Sequence, residues 1–143
     1  MTGKLTAVCL SPSTGTVKKN VDTGTLVEGM GLEGDGHMGF GHRQISVLME
    51  EDIEPMAKKL PDILPGSFGE NLIVEGLDLS SLAIGDRIGI GESVLGLSQI
   101  GKTCHHRCEI YHATGDCIMP TRGLFFKVLS GGAISVGDEV RLL

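Results

Sequence analysis

Cysteine and histidine are concentrated in one short stretch, residues 101–117, which reads GKTCHHRCEIYHATGDC. It contains three of the four cysteines and three of the five histidines. These residue types supply thiolate nucleophiles and ligands for soft metals. A random distribution over 143 residues would seldom crowd them in this way. We therefore expect the chemistry of the protein to occur in this cysteine segment.

The spacing within the cysteine segment favours a shared face. If the stretch is helical, Cys104, Cys108 and His112 stand at i, i+4 and i+8 and lie on one side of the helix. Positive charge on Lys102, Arg107 and the nearby histidines would lower the pKa of a cysteine there and populate its thiolate. The segment is thus predicted to contain a reactive thiol.

Two other interpretations of the cysteines stay open. Cys104, Cys108, His112 and Cys117 could supply the four ligands of a structural zinc, although the Cys-x3-Cys spacing is not the usual two-residue knuckle. Alternatively, Cys104 and Cys117 are small core residues, as we expect for Cys9 in its apolar strand.

A glycine-rich loop, residues 33–43, is the second candidate. Glycines let a main chain approach a ligand closely, and successive amides can hold an anion. Asp35, His37, His42 and Arg43 lie in this loop, and the last three could bind a phosphate. The spacing matches neither the P-loop nor the dinucleotide-binding motif, so a plain flexible loop is an equal alternative.

The third candidate is the turn Pro65–Asn71, with the sequence PGSFGEN. Phe68 stands between glycines, and Glu70 and Asn71 follow at the entry to a strand. This pattern indicates a rigid turn that presents polar groups to a ligand. The alternative is a purely structural turn in which Asn71 bonds its own main chain.

Composition limits the classes of function. The 143 residues are 41% hydrophobic and 21% charged, which fits one globular domain, residues 1–143. The net charge of −6 and the 3% of aromatic residues argue against nucleic acid as a partner. No apolar run approaches the ~20 residues of a membrane span, and none matches a signal peptide. We expect a cytoplasmic protein whose thiols are reduced.

Short apolar segments and 22 glycines predict a mainly β domain. Glu50–Leu60 has acidic residues first and lysines last, which predicts a helix, kept short by Pro55. We expect a closed or nearly closed β-barrel of about eight strands with one to three short helices. The predicted strands are Lys4–Leu10, Thr16–Asn20, Leu26–Val27, Ile45–Leu48, Asn71–Glu75, Asp86–Ile90, Ser93–Ile100, Phe125–Leu129 and Val140–Leu143.

Three segments together resemble the MOSC domain, a family named for the C-terminal region of molybdenum-cofactor sulfurase. They read GDGHMGFGHRQISVL, PGSFGENLIVEGLDL and GKTCHHRCEIYHATGDCIMPTRGLFFKVLSGG. The order of the motifs matches from about Gly29 to the end of the chain, and the third segment is most similar to the short, stand-alone bacterial members.

The resemblance implies a β-barrel whose cleft holds an essential cysteine, which here is Cys108; Cys104 is a feature of the bacterial branch and a less expected metal ligand. In the family this cysteine ligates molybdenum of a molybdopterin cofactor or carries sulfur. Pyridoxal phosphate binding is a family-level association. Implied partners are a sulfur donor such as a cysteine desulfurase, or molybdopterin-biosynthesis proteins. The residues expected to bind cofactor are Asp35, His37, His42, Arg43, Phe68, Glu70, Asn71, Lys102 and Arg107.

Two alternatives to a sulfur or cofactor carrier remain. One is a molybdenum-dependent reductase of N-hydroxylated compounds, although larger reductases of the family bind the pterin with an additional N-terminal β-barrel that we do not expect here. The other is a non-enzymatic binding module with a structural zinc.

Overall fold

The computed structural model describes residues 2–12, 18–36, 38–39, 41, 44–101 and 123–143. Within these ranges the chain is mainly β, with a single α-helix, as the sequence predicts. The helix is α1 (Glu50–Lys59). The strands are β1 (Thr2–Leu10), β2 (Lys19–Asn20), β3 (Thr23–Val27), β4 (Gly31–Leu32), β5 (Ile45–Met49), β6 (Leu72–Glu75), β7 (Arg87–Ile90), β8 (Ser93–Ile100), β9 (Leu124–Ser130), β10 (Gly132–Ser135) and β11 (Glu139–Leu142).

Seven strands close into a barrel in the order β1-β11-β7-β8-β9-β5-β6, because β6 pairs with β1 again. The extra strand β2 pairs with the last residues of β1. Strands β10, β3 and β4 form a separate three-stranded sheet. The predicted barrel is therefore confirmed. Sequence analysis had not predicted β4 and β10, which are only two and four residues long.

The pair β5–β6 is parallel, and α1 lies in the connection between these strands. A parallel pair needs such a crossover. Pro55 stands at the sixth position of α1, beyond the first turn, where a proline is tolerated. Its missing N–H leaves the carbonyl of Glu51 without its helical donor. Among the described residues, no helix has the length and apolar character needed to cross a membrane.

The barrel interior is filled by apolar side chains from all seven strands, with Phe126 among its largest buried members. A second cluster, here called the outer cluster, packs on the outside of the barrel, where Ile53 of α1 covers it. Its buried members are Ala7, Cys9, Leu48, Ile53, Ile73 and Phe125.

Strand β1 changes the alternation of its inward-facing residues where its pairing with β6 shifts, between Leu5 and Ala7. Leu5 points into the barrel before the shift, and Val8 does so after it. An irregularity of this kind changes which alternate residues face inward. As a result Cys9 belongs to the outer cluster and not to the barrel interior.

Candidate functional site

Of the residues predicted to form the site, the structure describes Asp35, Phe68, Glu70 and Asn71. The others lie outside the described residues: His37, His42, Arg43, Lys102, Cys104, Arg107 and Cys108. Their predicted roles stay predictions.

Asp35 forms a buried ion pair with Lys18. The Lys18 Nζ lies 2.6 Å from Asp35 Oδ1, and the two side chains are 1% and 0% exposed. The same oxygen accepts a 3.1 Å hydrogen bond from the Ser11 amide, and the Gly36 amide donates to the Ser11 carbonyl at 2.7 Å. Asp35 thus ties the start of the glycine-rich loop to the end of β1.

Lys18 also holds the Pro65–Asn71 turn through its main chain. Its amide donates to the Gly66 carbonyl at 3.2 Å. Gly66 has a φ of +95°, and a Cβ there would collide with the Lys18 carbonyl. A glycine is therefore required at this contact. Sequence analysis missed Lys18, because nothing distinguishes it from its exposed neighbour Lys19.

The Glu70 carboxylate closes the turn from inside. Its two oxygens accept hydrogen bonds from the amides of Gly66 at 3.1 Å and Phe68 at 3.0 Å. The side chain is 1% exposed. Burial raises its pKa from 4.5 to about 7, against the opposing effect of these amides. Both amides are therefore already occupied by a carboxylate of the protein.

Asn71 joins three strands of the barrel wall. Its Oδ1 accepts a hydrogen bond from the Ser46 amide at 3.0 Å, and its Nδ2 donates to the Cys9 carbonyl at 3.1 Å. The main chain adds two bonds, from the Cys9 amide to the Asn71 carbonyl and from the Asn71 amide to the Ser46 carbonyl. The side chain is 1% exposed, so it fixes where the turn meets the sheet.

Phe68 packs, partly buried, against the outer cluster that contains Cys9. Burial, and then the nearby Glu70 carboxylate, raise the pKa of the Cys9 thiol to about 12, with Lys18 opposing. A thiol with this pKa and 0% exposure is not a thiolate near neutral pH. The expectation that Cys9 is a core residue is confirmed, and a reactive thiol must come from another cysteine.

Gly101 and Gly123 mark the two ends of the undescribed stretch that carries the other three cysteines. The Gly101 amide donates to the Gly123 carbonyl at 2.7 Å, next to the pair formed by Ile100 of β8 and Leu124 of β9. Phe125, the next residue of β9, belongs to the outer cluster. Gly101 and Gly123 therefore lie beside the cluster that Phe68 contacts.

Gln44 anchors the far end of the glycine-rich loop. Its Nε2 donates to the carbonyls of Gly29 at 3.0 Å and Gly41 at 2.7 Å, and its Oε1 accepts from the Val128 amide at 3.0 Å. This side chain is buried. Asp35 and Gln44 thus hold the loop at two points, on β1 and on β9 respectively.

The family model of the MOSC domain matches residues 33–141. This chain belongs to the MOSC domain family. The sequence resemblance is therefore confirmed. A comparison with the curated proteins finds no match.

Solved structures similar to this MOSC domain include the YuaD protein from Bacillus subtilis, with a TM-score of 0.83 and 26% identity over 99% of this chain and 96% of that one. YiiM from Escherichia coli has a TM-score of 0.68 and 24% identity over 100% of this chain and 70% of its own. YiiM from Geobacillus stearothermophilus has a TM-score of 0.68 and 19% identity over 99% of this chain and 73% of its own. The two YiiM structures show the shared fold.

The MOSC family is associated with the molybdenum cofactor. Within the described ranges, no three His, Cys, Asp or Glu side chains are grouped so that they could hold a metal ion. Cys9 is protonated, and the turn amides bind Glu70. The protein therefore has a ligand for the molybdenum of this cofactor only if the cysteine segment supplies a thiolate.

Proposed function

We propose that this MOSC domain handles sulfur or the molybdenum cofactor, with the Cys108 thiolate carrying sulfur or ligating molybdenum. Cys108 is the residue that matches the essential cysteine of the family. The exclusion of Cys9 supports the proposal from the physical side, because it leaves only cysteines of the cysteine segment as thiolates.

One observation carries the proposal of a shared pocket. Asn71 is hydrogen-bonded to Ser46 of β5, and Ser46 pairs with Phe125 of β9. Asn71 and Phe125 are thus separated by two strand spacings, about 10 Å. The turn and the point where the cysteine-bearing stretch rejoins the barrel lie close together, which supports a cleft lined by both.

Sulfur transfer at Cys108 balances without an oxidant. The thiolate attacks the terminal sulfur of a donor persulfide, R–S–SH. A new S–S bond forms on Cys108 and the donor S–S bond breaks. The donor leaves as R–S⁻, which takes up the proton of the transferred S–H group, so that Cys108 carries an anionic persulfide. A thiolate is the required nucleophile, so a pKa of Cys108 lowered from its ordinary value towards the ambient pH would speed the transfer.

If molybdopterin binds, its molybdenum would supply the redox-active centre at this thiolate. The chain's own contribution is binding: Lys102, Arg107, His37, His42 and Arg43 are candidates to neutralise the phosphate of the cofactor through charge-assisted hydrogen bonds. Asp35, Phe68, Glu70 and Asn71 would shape the pocket wall, since three of them are committed to contacts within the protein.

The test compares Cys108→Ser with the matched control Cys104→Ser. Each variant is incubated with a cysteine desulfurase and cysteine, and intact-protein mass spectrometry measures the gain of one sulfur atom. Molybdenum content is measured by elemental analysis after expression in a molybdenum-replete host. We expect Cys108→Ser to lose both forms of loading and Cys104→Ser to retain them.

Two outcomes would contradict the proposal. Full loading of Cys108→Ser would remove the role of this residue. Stoichiometric zinc on the unmodified protein, with equal loss of zinc in both variants, would favour the structural-zinc module. Reduction of an N-hydroxylated substrate by molybdenum-loaded protein would instead extend the proposal to the reductase.

A further inference from the structure

Lys18 is a charged side chain buried where three segments of the chain meet. Its ammonium contacts Asp35 at the start of the glycine-rich loop. Asp35 also accepts from the amide of Ser11, which follows β1. The main chain of Lys18 is hydrogen-bonded to Gly66 in the Pro65–Asn71 turn. Lys18 therefore contacts two of these segments directly and reaches the third through Asp35.

Stability alone does not require such a pair. Burying two charges removes both from water, and apolar side chains of similar volume at such positions often give an equally or more stable protein. A charge-assisted hydrogen bond of 2.6 Å between Lys18 and Asp35 adds a fixed direction and distance. Its contribution is therefore expected in the geometry of the segments that it joins.

We infer that Lys18 is a positioning residue that fixes the glycine-rich loop and the Pro65–Asn71 turn relative to each other. The inference rests on the proposed function, because these are the two segments proposed to line the cofactor pocket. With 1% of its side chain exposed, Lys18 presents almost no open surface to a cofactor or a sulfur donor. It acts through Asp35 on one side and Gly66 on the other.

The effect of Lys18 extends to Glu70. The Gly66 carbonyl accepts from the Lys18 amide, while the Gly66 amide donates to the Glu70 carboxylate. A shift of Lys18 moves Gly66 and changes the bond that holds the carboxylate. The titration of Glu70 consequently reports on the position of Lys18, although the two side chains are not paired.

The experiment uses the cofactor-free full chain with the apolar pair Lys18→Met/Asp35→Leu. This variant removes one positive and one negative charge together, so the net charge near Glu70 is unchanged. Hydrogen exchange is measured at the Gly66 and Phe68 amides, and the Glu70 carboxyl is titrated by carbon NMR. We expect a urea midpoint lowered no further than the lost acceptor of the Ser11 amide requires, exchange at least about tenfold faster at both amides, and a displaced Glu70 midpoint.

Unchanged exchange and an unchanged Glu70 midpoint in the folded double variant would overturn the inference, since a merely structural pair would affect only stability. If the double variant does not fold, native-state exchange of the unmodified protein decides. The amides of Gly36, Gly66 and Phe68 should then share one opening free energy, and separate openings would refute the inference. None of these measurements needs protein loaded with sulfur or molybdenum. Loading of Cys108→Ser would therefore disprove the proposed function without changing the result for Lys18.

Discussion

Gly66→Ala should destabilise the protein much more than Gly69→Ala, although both glycines belong to the same turn. Both have positive φ, +95° at Gly66 and +82° at Gly69. The difference lies in the space around them. A Cβ at Gly66 would overlap the Lys18 carbonyl, whereas a Cβ at Gly69 would meet no atom within 4 Å.

The magnitude follows from two contributions. A non-glycine residue in the left-handed region costs about 1 kcal/mol or somewhat more, and both variants pay this. Gly66→Ala must also separate the turn from Lys18, which strains the hydrogen bond between residues 18 and 66 and the contact of the Gly66 amide with Glu70. We expect a total loss of about 3 kcal/mol for Gly66→Ala and about 1 kcal/mol for Gly69→Ala.

Urea unfolding followed by circular dichroism measures both losses on the same scale, and equal slopes for the variants would show that only stability has changed. Gly69→Ala is the matched control, since it carries the same added methyl group and the same backbone strain. Equal losses in the two variants would refute the reasoning, because the contact with Lys18 is what distinguishes the two glycines.

Two further predictions concern the same turn, and a third concerns the cysteines. The raised Glu70 pKa, from 4.5 to about 7, means that the folded state holds a proton that the unfolded state releases. The free energy of unfolding should therefore fall by about 3 kcal/mol as the pH rises from about 4.5 to about 7. Urea unfolding at several pH values measures this fall, and Glu70→Gln should remove most of it. The same pH dependence in the variant and the unmodified protein would contradict the prediction. Asn71→Ala strips partners from two buried main-chain groups and should cost about 3 kcal/mol in urea unfolding. Asn20→Ala also removes an acceptor, that of the Val8 and Asp22 amides, but one of these bonds is exposed and the other part-buried, so it should cost less, about 1 kcal/mol; similar losses would disprove the role of Asn71. Cys9 should resist iodoacetamide at pH 8 until urea unfolds the chain, whereas Cys108 should react in the folded protein; equal rates, read by peptide mass spectrometry, would contradict this.

The sequence alone determined the class of fold and most of its strands. Ser93–Ile100 was predicted with the bounds that the structure has, and the ends of most other strands differ by one or two residues. Local chemistry explains this success. For example, the Gly-Asp pairs at 85–86 and 137–138 form equivalent turns: Asp86 accepts from the Ala83 amide and Asp138 from the Ser135 amide, each at 2.9 Å. One turn precedes β7 and the other β11, and these strands pair.

The sequence also marked Asp35, Glu70 and Asn71 as residues of interest, but their partners depended on tertiary structure. Asp35 pairs with Lys18, 17 positions earlier, and Asn71 bonds to Cys9, 62 positions away. No local pattern encodes such separations. Two adjacent lysines are equivalent by type, and only the closed barrel buries Lys18 while leaving Lys19 exposed.

Strand β1 shows the physical reason most directly. Alternation along a regular strand would put Leu5, Ala7 and Cys9 on the same face. The register shift against β6 separates Leu5, which faces the barrel interior, from Ala7 and Cys9, which belong to the outer cluster. Burial there keeps the Cys9 thiol protonated. The sequence determined which side chains are apolar or reactive. Pairing between distant strands decided the face on which each one lies.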